Sequence, residues 1–129
     1  MSDPAKFVVP NAVEQQSGIY RATLRDENGA AVAAQVLTTF TLTLYNLSSG
    51  TVINSRSAQN VLNANQVTVD GSGNVVWNWL PADMTIINPN LNSEEHVALF
   101  EAKWLDSQLR NRQGNHEVHF IVNRVAQLT

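Results

Sequence analysis

The sequence predicts an all-β fold, an antiparallel β-sandwich of about seven strands with an extended N-terminal arm. Three observations carry that expectation. Apolar residues recur with a period of two, most clearly in Thr39-Phe40-Thr41-Leu42-Thr43-Leu44-Tyr45, which sends Phe40, Leu42 and Leu44 to one face and the threonines to the other. Turn signals rich in Gly and Asn punctuate the alternating runs at short intervals, and no stretch sustains a long helical period. The 129 residues fit one domain, large enough to bury roughly two-thirds of its unfolded surface.

Residues 1–17 read as the arm. Phe7-Val8-Val9 sits between Pro4 and Pro10 and is followed by the polar run Glu14-Gln15-Gln16-Ser17, an extended segment with one apolar spot; an ordinary first strand or a frayed terminus is the alternative. The sandwich occupies residues 18–129. Residues 19–25 alternate, with Tyr20, Ala22 and Leu24 on one face, and Asp26-Glu27-Asn28-Gly29 turns the chain. Residues 30–34 are small and apolar and suit a short edge strand or a helical turn. Ser48-Ser49-Gly50 then predicts a turn joining the strand at 39–45 to Thr51-Val52-Ile53, so residues 38–54 read as a hairpin.

Residues 54–66 are rich in Asn, Ser and Gln and read as a loop pinned by Val61 and Leu62. Val67-Thr68-Val69 and Val75-Val76-Trp77-Asn78-Trp79 flank Asp70-Gly71-Ser72-Gly73-Asn74, a second hairpin. Pro81-Ala82-Asp83-Met84 suits one turn of helix, since Pro is tolerated at a first helical position. Residues 95–104 place His96, Ala98, Phe100, Ala102 and Trp104 on one face, and residues 116–125 set Val118, Phe120 and Val122 against His119, Ile121 and Asn123. These two strands are expected to pair, through a polar, exposed and mobile connection at 105–115. Short strands between turn signals indicate a sandwich of immunoglobulin-like type, with a small barrel as the alternative.

Composition narrows the chemistry. With no cysteine, disulfides, thiolate metal sites and cysteine nucleophiles are excluded, and the fold rests on its apolar core. A net charge of -3 and eight scattered basic residues argue against a nucleic-acid partner. No segment is apolar enough for long enough to span a bilayer as a helix, and Met1-Ser2-Asp3-Pro4-Ala5-Lys6 lacks the pattern of a secretory leader. The expectation is a whole chain made in a cytoplasm, without membrane or cofactor.

Several residues invite a functional test. His116-Glu117-Val118-His119 has the spacing of a metal motif, but a strand sends positions three apart to opposite faces. His96 beside Glu94 and Glu95 could form an acid-base pair if set in a cleft; a solvated strand edge is the expectation. Asp70-Gly71-Ser72-Gly73-Asn74 offers alternating oxygen ligands but lacks the closing acid of a calcium loop, so turn geometry accounts for it. No Gly-x-Ser-x-Gly elbow and no phosphate loop occur, and an enzyme is not expected. Trp77 and Trp79 share a strand face, where core packing is favoured over a sugar-stacking platform.

Leu42-Thr43-Leu44-Tyr45, Ser49-Gly50-Thr51-Val52-Ile53-Asn54, Asn60-Val61-Leu62-Asn63, Val67-Thr68-Val69-Asp70, Leu80-Pro81-Ala82-Asp83, Glu94-Glu95-His96-Val97-Ala98-Leu99-Phe100 and Gly114-Asn115-His116-Glu117 occur in this order. Taken together they resemble the small immunoglobulin-like structural proteins of tailed bacteriophage virions, over about residues 18–125. The resemblance implies a head decoration or cement protein, or a tail, baseplate or fibre module, and no catalytic residues carry over. The leading expectation is a capsid cement protein bridging neighbouring major capsid subunits and associating with its own copies on the virion. Phe7, Val8 and Val9 are the candidate partner contact, since an extended arm can add a strand to an exposed sheet edge. The alternatives are a tail or baseplate module and a carbohydrate-binding module acting through Trp77 and Trp79.

Overall fold

The computed structural model describes residues 5–124, and of residues 5–12 the backbone alone. Two sheets face each other. The larger has strand order β1-β8-β7-β3-β4, with β1 at Ala5–Val13, β3 at Leu37–Asn46, β4 at Gln59–Asn60, β7 at Ser93–Leu105 and β8 at Asn111–Asn123. The smaller is β2-β6-β5, with β2 at Gly18–Thr23, β5 at Val67–Val69 and β6 at Asn74–Trp79. All pairings are antiparallel except that of β1, which runs parallel to β8 from Ala5↔His116 to Val13↔Asn123. The chain is an all-β sandwich, as its alternation predicts.

Period-two patterning explains which side chains fill the space between the sheets. In β3 Phe40, Leu42 and Leu44 are buried while Thr39 is exposed and Thr41 and Thr43 are half-buried. β7 contributes Ala98, Phe100, Ala102 and Trp104 from one face, and β8 contributes Val118, Phe120 and Val122. From the opposite sheet Trp77 reaches the middle of this layer, its ring centroid 5.8 Å from Phe100 and 6.1 Å from Phe120. Burying an aromatic side chain of this size is worth about 3 kcal/mol or more, so the Trp77 cluster is a main source of cohesion between the sheets.

Turn chemistry closes the hairpins. Between β5 and β6, the Asp70 carboxylate accepts the N–H groups of Ser72 and Asn74 at 2.8 and 2.9 Å. Gly73 holds a φ of +78°, and a Cβ there would lie 2.8 Å from the Val32 carbonyl; only glycine fits both constraints. The β2 strand ends in the expected turn, with Gly29 donating to the Asp26 carbonyl at 3.0 Å. The Ala-rich stretch after it makes one bridge, Arg25↔Ala31, and then a 3₁₀ turn at Ala34–Val36. Pro81–Met84 forms the expected single turn, also 3₁₀.

Three expectations are corrected. The predicted strand at 51–53 reduces to a single bridge, Tyr45↔Val52, because Asn54 and Ser55 take positive φ and swing the chain away; Gln59–Asn60 pairs with β3 instead. The connection at 105–115 shrinks to residues 106–110, with β8 starting at Asn111. Asp106 is the reason: its carboxylate accepts the N–H groups of Gln108 and Arg110, folding a tight turn that lets the polar residues after it pair with β7. Finally, His96 does not lie at a solvated edge. β7 is flanked by β8 and β3, and His96 faces the interior with 0% exposure.

Candidate functional site

The residues singled out for chemistry are dispersed by the strands. His116 lies on the inward side of β8, its Nε2 sharing a 2.7 Å hydrogen bond with the Tyr20 hydroxyl. His119 belongs to the other face, with Nδ1 2.6 Å from Glu95 Oε2. Strand alternation therefore separates the two imidazoles, and among the described residues no group of three or more acids and histidines is placed to hold a metal ion. The Asp70 carboxylate is spent on its turn: the N–H and side chain of Asn74 and the N–H of Ser72 hold it below the usual aspartate range.

His96 and Glu94 do form a pair. Their side chains sit two positions apart on one strand, so they share a face, with His96 Nε2 2.9 Å from Glu94 Oε1. Burial pushes the His96 imidazole below its ordinary value, against the pull of Glu94. Burial works to raise Glu94, but His96 and the N–H groups of Ile87 and Asn88 outweigh it and hold the carboxyl low. The ionised carboxylate accepts only, so Nε2 carries the proton. Nδ1 is then a bare lone pair with no hydrogen-bond partner among the described residues, and a second proton there would meet no acceptor. With Glu94 4% and His96 0% exposed, the pair reaches no substrate; it ties β7 to the chain at 87–88.

Trp77 is fully buried and its partner Trp79 half-buried, the latter donating Nε1–H to the Gln16 carbonyl at 3.0 Å. The two rings meet edge to face with centroids 5.7 Å apart. No open platform of two indoles is formed. For the candidate contact Phe7, Val8 and Val9, the backbone lies in β1 in register with Val118, His119 and Phe120, and the three side chains lie outside the described residues.

The structure also assembles two features that the motif reading missed. The first is a buried ion pair. Arg56, in the loop after β3, is 1% exposed and gives all five of its N–H donors to acceptors. Two go to Asp83 at 2.6 and 3.1 Å, and the others to Gln59, Gln66 and the Asn65 carbonyl. Asp83 also accepts from Asn54 and from the Leu80 N–H. The sequence does carry a signal: Arg56 is the only charged residue within 28–69, and Asp83 the only one within 71–93. Two lone, opposite charges in polar surroundings are candidates for each other.

The second is an unclosed flank. Where β2 faces the first half of β8, a cavity of about 540 Å³ opens between the sheets, walled by Tyr20, Leu24, Val32, Phe100, Trp104 and His116. Burial pushes the Tyr20 hydroxyl up to about 12 and holds His116 below its ordinary value, so both are neutral near pH 7. The cavity is apolar with a polar end, suited to holding a side chain rather than to moving protons. No protein-family model matches this chain, and no curated protein does so either.

Proposed function

We propose that the chain is an immunoglobulin-like, non-enzymatic structural protein of a tailed-phage virion, a capsid decoration protein that bridges neighbouring capsid subunits. The observation that carries the reading is strand order. In an immunoglobulin sandwich strands B, E and D share one sheet, and G, F and C, with C′ where present, share the other. β2-β6-β5 and β8-β7-β3-β4 follow those orders, with β1 beside β8 rather than beside β2, and of the segments that resemble phage virion proteins those at 42–45, 67–70, 94–100 and 114–117 fall on β3, β5, β7 and β8. A sandwich of this kind, bound in many copies, holds a lattice through modest contacts multiplied by number. A polar surface with few charges suits that use.

Counting copies in purified particles tests the reading. A cement protein is expected in a fixed, high ratio to the major capsid protein, on the outer shell. A few copies in one symmetric ring would make it a tail or baseplate module instead, and absence from the particle would overturn the virion reading.

A further inference from the structure

We propose that the free edge of β2 docks an extended peptide of a partner protein, one that alternates apolar with acidic residues and joins the sheet as an added strand. This rests on the geometry of the flank and is independent of the virion reading. β2 has β6 on one side and, among the described residues, no strand on the other. Leu24 donates its N–H to Gly73 on the β6 side at 2.9 Å. Backbone groups alternate in direction along a strand, so Arg21 and Thr23 turn theirs to the open edge. Such a row of N–H and C=O groups is a template for another strand.

The cavity lies beside that edge. Among the described residues β1 does not close it: the described pairing with β8 runs from Ala5↔His116 to Val13↔Asn123. The floor is the inner face of β7, with Phe100, Ala102 and Trp104. Gly114 keeps the space over Trp104 clear, since a Cβ there would stand 3.2 Å from the indole. Every second side chain of an added strand would enter this apolar space, and the alternate ones would lie beside Arg21.

Charge selects the alternate residues. Arg21 is exposed without a carboxylate partner among the described residues, and Arg25 is held by the Gly29 carbonyl at 3.0 Å. Of the neighbouring acids, Asp26 is oriented by the N–H groups of Asn28 and Ala30, and Glu27 is paired with Arg112. Arg21, Arg25 and Arg112 against Asp26 and Glu27 leave one surplus positive charge at this edge of a chain of net charge -3, with Arg21 the cation that has no described ion-pair partner, which favours Asp or Glu in the incoming strand.

The test uses the full chain, isotope-labelled, with a synthetic peptide of about ten residues alternating valine and glutamate, and its lysine counterpart. The glutamate peptide is expected to slow amide exchange at Arg21 and Thr23 by about tenfold or more, and the lysine peptide to bind about tenfold more weakly. Arg21→Pro removes an edge N–H that β6 does not use and is expected to abolish binding while the sandwich stays folded by circular dichroism. Should that variant not fold, Arg21→Glu is expected to reverse the preference between the peptides. The proposal is overturned by no protection at Arg21 and Thr23, by equal binding of both peptides, or by unchanged binding to Arg21→Pro. Protection of the same amides by concentrating the chain alone would assign the edge to a second copy and overturn it equally.

Discussion

A guanidinium taken out of water costs several kcal/mol unless both its charge and its donors are answered, and for Arg56 both are answered around one loop and the 3₁₀ turn that bears Asp83. Removing one partner strands the other. Arg56→Ala is expected to destabilise the fold by about 3–5 kcal/mol in urea unfolding, and the Arg56→Ala, Asp83→Ala double variant by much less than the sum of the singles; additive losses would show that the pair is not coupled. The Glu94–His96 pair governs acid sensitivity instead. His96 is held below its ordinary 6.5, so the unfolded chain takes the proton first and stability falls as pH drops below about 6.5. Glu94, held below its ordinary 4.5, adds a further loss below that value. His96→Gln keeps a donor to Glu94 and is expected to flatten the urea midpoint between about pH 6.5 and about pH 5, with the remaining slope coming from His116. An unchanged slope would remove His96 from the account.

Among the elements, β1 connects fold to proposed function. Its nine residues lie parallel to the second half of β8, occupying the outer edge of the larger sheet. A parallel pairing of this kind needs no tight turn between its strands, and residues 14–17 lead from β1 into β2. Deleting residues 1–17 is expected to abolish capsid binding in a sedimentation assay while far-UV circular dichroism keeps its β signal. Unchanged binding would sink the anchor role of Phe7, Val8 and Val9. The hairpins were the legible elements: alternation and Gly-bearing turns place β2, β3, β5, β6, β7 and most of β8. The misjudged ones share a cause. Strand 51–53 was interrupted by non-glycine residues in positive φ, and the start of β8 was masked by polar residues that pair through backbone alone.

At the scale of the whole molecule, the two sheets share one apolar cluster with Trp77 at its middle, contacting residues of β7 and β8 from β6. Neither sheet has a second core to fall back on among the described residues. Trp fluorescence and far-UV circular dichroism are therefore expected to report one coincident unfolding transition. Separate midpoints would show that the three-stranded sheet melts on its own, as a flank left open beside β2 would favour.

The sequence by itself determined the class of fold, the faces of its strands and most of its turns, because alternation and positive-φ turn chemistry act over a few residues. It also excluded thiol chemistry outright. The tertiary structure decided what depends on residues brought together from afar: that Arg56 meets Asp83, that His96 is sealed inside a central strand, and that β1 lies along β8. It alone revealed the edge of β2 that no described strand covers, and the cavity beside it. A strand's inner face is written in its side chains, whereas its neighbours are chosen by long-range pairing, which leaves no local period to read.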